Sequence, residues 1–294
     1  MALLVMVAGP NGSGKSTLIG ALRSDPVIGL SLPAIYVNAD DIQRETRLDA
    51  AGAQRAATEL RARALAERRD VMYETVMSHP SKLGELQQAR AAGYEVHVFF
   101  LATEDASINV QRVALRVAAG GHDVPEDRTR QRYERTLALA PAALSLADRA
   151  FAYDNSNGSA GIQLQAQLVG DRLEWMTAAP ARWVESLVSR VNERADELQG
   201  LRDRARASGE TPVHAGLCAG ETEGPFETMG THYLAQRDLK SGALVVHDRV
   251  LLTGVRPVQQ GASHRVKYLE GVGTEIACHY PFVAPLARTP ARPE

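Results

Sequence analysis

The sequence predicts an α/β fold, a parallel sheet flanked by helices, followed by a bridging helix and a small mostly-β domain. Three observations carry this. Short apolar runs that end in polar clusters alternate with longer stretches of helical spacing from the start of the chain to about Ala178. Pro180 then precedes one long amphipathic stretch. From Gly209 onward, glycine and β-forming residues dominate. The expected units are 1–178, a bridging helix 179–208, a β-rich unit 209–283 and a tail 284–294.

Taken in order, Leu3 to Val7 is apolar and short enough for a buried strand. Gly9-Pro-Asn11-Gly12-Ser13-Gly14-Lys15-Ser16-Thr17 follows and fits G-x-x-x-x-G-K-[ST]. Leu18, Ile19 and Leu22 then recur at helical spacing. Strand, glycine loop and helix in that order are the context the P-loop requires. Gly9, Gly12 and Gly14 let the backbone turn its N–H groups inward around a phosphate, and the helix N-terminus adds partial positive charge. Lys15 reaches outer phosphates and the Ser16 hydroxyl suits magnesium.

Ala34 to Val37 reads as a second strand, ending in Asn38-Ala39-Asp40-Asp41. Leu48 to Arg69 reads as helix. Val71 to Thr75 is a third strand, and Ser81 to Ala92 a helix that stops at Gly93. Glu95 to Leu101 is a fourth strand whose near-continuous apolar run fits cover on both faces. Asp105 to Ala118 is helical and stops at Gly120-Gly121. Pro125 suits the first turn of a helix running to about Leu146. Ala150 to Tyr153 is a fifth strand, and 164–168 with 172–175 form a hairpin around Gly170-Asp171. Val184, Leu187, Val191, Ala195, Leu198, Leu201 and Ala205 give the next helix one apolar face, fit for a packed bridge or for a partner. Beyond it, Val213–Gly216, Thr231–Gln236, Ala243–His247, His264–Tyr268 and Glu275–Cys278 read as short strands of a small barrel or sandwich. Turns are expected at Asp238–Gly242 and Gly271–Gly273.

Composition narrows the partners. Of 294 residues 45% are hydrophobic, enough for a packed core, and the net charge of −2 gives no global field for nucleic acid or membrane. Cys218 and Cys278 fit a reducing compartment, and the apolar start lacks a basic leader. No run approaches the ~18 to 20 apolar residues of a spanning helix. The expectation is a cytoplasmic protein with no membrane contact. His214, His232, His247, His264 and His279 lack tight ligand spacing, so scattered strand histidines are the reading there.

The reaction must come from residues outside the glycine loop. Asp40, at the end of the second strand, can take a proton from an acceptor hydroxyl, or cap a helix, or support magnesium. Glu74 and Thr75 end the third strand and line the same crevice, with a buried structural carboxylate as the alternative for Glu74. Arg112 and Arg116 share a helix face, and Arg128 and Arg132 repeat the spacing after the glycine break. Guanidinium forks match phosphate oxygens, so these helices read either as a lid or as a solvated surface paired with Glu126, Asp127 and Glu134. His122 either touches a substrate phosphate or fixes the turn. No h-h-h-h-D strand with a following Glu is present, and no N-K-x-D. That favours a small kinase over a motor ATPase or GTPase. The competing reading is a nucleotide-binding protein whose C-terminal domain binds DNA or a protein partner.

AGPNGSGKST, VNADDIQRE, YETVMSH and RVALRVAAGGHDVPEDRTRQRY, in this order, resemble the zeta toxin family of P-loop kinases over residues 1 to 178. The resemblance implies an adenylate-kinase-like core using ATP and Mg2+. It implies an acceptor such as the sugar hydroxyl of UDP-N-acetylglucosamine and toxin-like action, with an antitoxin as possible partner. Carried over by motif, Lys15 and Ser16 bind ATP and magnesium, and Asp40 is the base. Glu74 and Thr75 contact substrate, and Arg116 with Arg112 stands where the family has its lid arginine. The second lid position is shared among His122, Arg128 and Arg132. GPFETMGTHYLAQ, ALVVHDRVLL and VKYLEGVGTEI resemble a KfrB-type domain of plasmid-encoded proteins.

Overall fold

The computed structural model describes residues 1–120, 124–215, 220–253, 261–269 and 272–276. The first strand, β1 (Leu3–Ala8), leads through the glycine loop into α1 (Lys15–Ser24) and the short α2 (Ile28–Ser31). Next come β2 (Ile35–Val37), α3 (Ala39–Thr46), α4 (Ala50–Ala66) and β3 (Val71–Thr75). The body continues with α5 (Ser81–Ala91), β4 (Glu95–Ala102), α6 (Ala106–Ala118) and α7 (Glu126–Ser145). It ends with β5 (Arg149–Asp154), β6 (Gln163–Val169) and β7 (Arg172–Met176).

These strands form one sheet in the order β2-β3-β1-β4-β5-β6-β7. The first five are parallel, with Ala8 beside Thr75 on one side and Phe100 on the other. The hairpin β6–β7 extends the sheet antiparallel from β5. β1 is therefore central, and the polar ends of β1, β2, β3, β4 and β5 share one edge. In open parallel sheets that edge is where ligands bind. Leu4, Met6, Val71, Val96, Val98 and Phe100 are buried from one face of the sheet against the helices. On the other face Val5, Val7, Phe99 and Leu101 pack on Leu18, Ile19 and Leu22 of α1.

One departure concerns 39–69. The helix expected over 48–69 is present as α4, and the structure adds α3 ahead of it, where no helix was expected. Arg47 closes α3 in the left-handed region, φ 59°, and Asp49 caps α4 by accepting from the Gly52 N–H at 2.7 Å.

The bridging helix is α8 (Arg182–Ala207). Its first half, Trp183, Val184, Leu187, Val188 and Val191, is buried in the main core. Its second half, Leu198, Leu201 and Ala205, is buried against Tyr233, Ala235, Leu244 and Val246 of the second sheet. Both apolar stretches are covered, so this helix is a packed bridge.

The second sheet contains β8 (Val213–His214), β9 (Glu221–Met229), β10 (Tyr233–Arg237), β11 (Leu244–Asp248), β12 (Leu252–Thr253), β13 (Ser263–Leu269) and β14 (Val272–Ile276). Their order is β12-β14-β13-β9-β10-β11-β8, with five strands of five or more residues between two short bridges. β13 and β11 lie three strand spacings apart, about 14 Å in a flat sheet. Yet the Tyr268 hydroxyl and the His247 Nδ1 are 2.7 Å apart. The sheet thus curls enough to bring these side chains together, an open curled sheet where a small barrel or sandwich was expected. β9 escaped the sequence reading because Gly224-Pro225 sits inside it. A Cβ at Gly224 would lie 1.8 Å from the Arg237 carbonyl oxygen, so this close crossing of β10 admits glycine alone. β14 begins at Val272, inside the turn expected at Gly271–Gly273. Among the described residues no helix is long and apolar enough to cross a membrane. His122, Cys218, Cys278, His279 and the tail 284–294 lie outside the described residues.

Candidate active site

The glycine loop joins the end of β1 to α1, and side chains from distant elements hold its carbonyls. Asn109 of α6 donates from Nδ2 to the Asn11 carbonyl at 2.7 Å. Asn155, just after β5, donates from Nδ2 to the Ser13 carbonyl at 2.7 Å. Asn109 is itself fixed by the Thr103 hydroxyl, and the Thr103 carbonyl accepts from the Tyr133 hydroxyl at 2.6 Å. With its carbonyls engaged outward, the loop is left with N–H groups for a phosphate. Gly12 and Gly14 have φ of 76° and 101°, which the inward curl requires. The Ser13 hydroxyl and the Asn11 Oδ1 are buried with no partner among the described residues. Buried polar atoms of that kind call for a ligand or water.

Lys15 is only 6% exposed, and its ammonium donates to the Pro10 carbonyl at 2.9 Å. Burial pulls its pKa below the usual lysine range; Glu74 opposes that shift, Arg116 adds to it, and Asp40 opposes it. Glu74, Asp40 and Arg116 thus act on one lysine by charge, and Glu74 is in contact with it. Glu74 is the hub. Its Oε1 lies 3.8 Å from Lys15 Nζ. Its Oε2 accepts from the Ser16 hydroxyl at 3.2 Å, from Tyr36 at 3.3 Å and from Asn38 Nδ2 at 3.3 Å.

Asn38 also caps α3, its Oδ1 accepting from the Asp40 N–H at 2.8 Å. The cap is thus Asn38, and the half-way role considered for Asp40 as a cap falls away. Asp40 stands exposed in the first turn of α3. Asp41 pairs instead with Arg44. The Thr75 hydroxyl accepts from the Met77 N–H at 3.1 Å, and the Thr75 carbonyl accepts from the Gly9 N–H at 3.3 Å, so this residue also ties β3 to the loop.

On the helices above, Arg112 is half-buried with its Nη1 unpartnered among the described residues, and Arg116 is exposed at the end of α6. Arg128 is exposed and Arg132 half-buried on α7. Burial and then the charge of Arg128 pull the Arg132 guanidinium down. The structure therefore joins Lys15, Ser16 and Glu74 by contact, leaves Asp40 and Arg116 acting on Lys15 by charge, and keeps Arg128 and Arg132 as a second cationic pair.

Tyr36, Asn38, Asn109 and Asn155 were missed from the sequence. Asn38 and Asn155 had a signal, since both stand in the polar ends of β2 and β5. Asn109 had none: it lies mid-helix, 98 residues from the carbonyl it holds.

A family model described as zeta toxin matches residues 2–144. An uncharacterized protein of Haemophilus influenzae is 30% identical over 134 residues, 44% of this chain and 91% of that protein. The crystal structure of AvrRxo1-ORF1:-ORF2 with ATP aligns with 65% of this chain and 64% of its own, at 13% identity and a TM-score of 0.49. The chain thus spans just under two thirds of that protein's length. The toxin–antitoxin structure PezAT of Streptococcus pneumoniae aligns with 66% of this chain and 87% of its own, at 14% identity and a TM-score of 0.39.

Proposed function

The chain belongs to the zeta toxin family through residues 2–144, and we propose that it is an ATP-dependent kinase that phosphorylates a hydroxyl of a nucleotide sugar such as UDP-N-acetylglucosamine. The ion pair of Glu74 with the buried Lys15, with Glu74 also bonded to Ser16 and to Asn38 at the head of the helix that carries Asp40, carries this reading. A loop that only binds phosphate needs no acid there.

The loop fits a nucleotide, because it holds unpartnered Ser13 and Asn11 oxygens and glycines at positive φ. Gly9, Gly12, Gly14 and Thr17 belong to that cradle. ATP supplies the transferable phosphoryl group, and a magnesium ion held at Ser16, with Glu74 beside it, supplies charge neutralisation. Lys15 gives up its contacts with Pro10 and Glu74 to reach the outer phosphates. Asp40 accepts the proton of the acceptor hydroxyl, a role worth about 10²–10⁴-fold in rate. Glu74 and Thr75 orient the acceptor. Arg116, with Arg112, offsets charge on the transferring oxygens, and Arg128 and Arg132 extend the same lid toward the acceptor. In a toxin of this kind an antitoxin protein would cover the ATP site.

The test incubates the protein with magnesium, ATP and a panel of nucleotide sugars, and follows mass for the gain of one phosphate. The expected product forms with UDP-N-acetylglucosamine, and Lys15→Ala and Asp40→Asn each lower its rate by about 10²-fold or more. ATP binding with no transfer to any hydroxyl acceptor would sink the kinase reading and favour a nucleotide-gated binding protein. Transfer to a different hydroxyl would keep the reaction and replace the substrate.

A further inference from the structure

At the edge of the sheet remote from the glycine loop, a cavity of about 500 Å3 opens between the main body, α8 and the second sheet. Its wall contains Arg90 of α5, Arg194 and Arg202 of α8, and His214 of β8. The floor is apolar, from Ala195, Leu198 and Val246. The acids on the wall are Asp171 and Asp248. Asp248 is taken by Arg194 in a buried pair, and Asp171 lies 3.8 Å from Arg172. Arg90 is held by the Leu146 carbonyl at 3.2 Å and is 3.9 Å from Asp148.

Arg202 is different. It pairs with no carboxylate among the described residues, and its Nη2 faces the His214 Nε2 at 3.4 Å. Burial, Arg202 and Arg90 all pull the His214 imidazole toward its neutral form, with Asp248 opposing. Three arginines face two aspartates on the wall, so its formal charge is net positive. Two wall residues that are more than nine-tenths buried also carry atoms without partners among the described residues: the Arg194 Nε and the Gln87 Oε1.

We propose that this cavity is a second ligand site, taking a small organic phosphate whose phosphoryl oxygens pair with Arg202 and Arg90 beside His214 and whose body rests on the apolar floor. Two guanidinium groups supply more donors than one carboxylate and one imidazole nitrogen use, and a phosphate has oxygens for the rest. The volume suits a metabolite-sized molecule, and the mix of apolar floor and few polar groups is that of a small-molecule site. A ligand here would touch all three parts of the chain. The site stands independently of the kinase reaction.

The probe is phenyl phosphate, titrated by calorimetry into the full chain carrying Lys15→Ala, which weakens the competing glycine loop. Saturable binding is expected, weakened about tenfold or more by Arg202→Ala. Arg90→Gln, on a different helix, is expected to weaken it too, so that a folding fault in one variant does not decide the matter. Thermal melting checks both variants. Benzoate, of similar body but with a carboxylate, is expected to bind at least several-fold more weakly. Absence of binding into the millimolar range, or binding indifferent to both arginine changes, overturns the site. Benzoate binding as well as phenyl phosphate overturns the phosphate assignment.

Discussion

In the body that carries the glycine loop, the parallel strands bury Leu4, Met6, Val96, Val98 and Phe100 among alanine-rich helices. The second sheet is organised differently. At its centre the Tyr268 hydroxyl meets His247, whose Nε2 is 3.0 Å from the Gln236 Oε1. Thr222 donates to the same oxygen at 2.7 Å, and the Gln236 Nε2 donates to the Gly224 and His264 carbonyls at 2.9 and 2.8 Å. A polar chain with all its members joined fixes one arrangement of strands, but it adds little net free energy compared with apolar packing. The small sheet makes up the difference by leaning on its neighbour. Half of α8 completes its core, and Leu251, 1% exposed, is packed into the core of the main body. The contrast teaches that the second sheet is structurally part of the kinase body and not an appendage on a linker.

The strongest way to break that comparison is at the buried pair of Arg194 and Asp248. Each side chain is under a tenth exposed, and Arg194 also donates to the Tyr233 hydroxyl at 3.2 Å. Asp248→Ala leaves a guanidinium buried without its counter-charge, and the expected loss of stability is about 3–5 kcal/mol. Urea unfolding followed at once by circular dichroism and by tryptophan emission measures it. Trp183 lies in the main core, donating from Nε1 to Asp154 at 2.8 Å. If the two sheets are one cooperative unit, both signals shift together. Separate transitions, with Trp183 unmoved, would return the second sheet to the status of an independent domain.

A smaller effect tests the polar centre itself. His247 is fully buried, and burial holds its imidazole down to about 4, against 6.5 when unfolded. Between those values the unfolded chain binds a proton that the folded chain does not. Stability is therefore whole above pH 6.5, falls as pH drops through that window, and has lost the full amount below about pH 4. The loss is about 3 kcal/mol. Carboxylates titrate in the lower part of the same range, so the quantity to read is the difference between the native protein and His247→Gln. That difference should shrink from pH 7 to pH 4. A constant difference would mean that the imidazole is not held neutral in the folded sheet.

The same contrast explains what the amino-acid pattern disclosed. In the main body each level agrees: apolar runs mark strands, the glycine loop marks β1 and α1, and polar residues at strand ends mark the crevice. The strand ends and the glycine loop therefore pointed to Lys15, Ser16 and Glu74, which the structure brings into contact. The second sheet spends its interior on His247, Gln236 and Thr222, which have no apolar signature, and its longest strand contains Gly224 and Pro225. Periodicity could not find β9 for that reason. The clamp on the glycine loop was hidden for another. Asn109 lies mid-helix, where a single polar residue carries no period, and although Asn155 stands in the polar end of β5, nothing there marks its partner 142 residues away.

That clamp supplies the finest test of the comparison. Asn155 Nδ2 would sit 2.5 Å from a Cβ at Gly14 and donates to the Ser13 carbonyl at 2.7 Å, so it both packs on the loop and turns its peptide. Asn155→Ala removes one hydrogen bond, worth about 1 kcal/mol net, and frees that carbonyl to face a phosphate. The expected result is a KM for ATP raised about fivefold to tenfold with kcat little changed, because the loss falls on binding in ground and transition states alike. Gln236→Ala also deletes a carboxamide, but in the second sheet, where it serves four partners and no loop. It should lower stability by more than Asn155→Ala and leave KM for ATP where it was. Were Gln236→Ala to raise KM as Asn155→Ala does, the two networks would be coupled across the bridge of α8, and the division between a polar scaffold and a polar clamp would have to be given up.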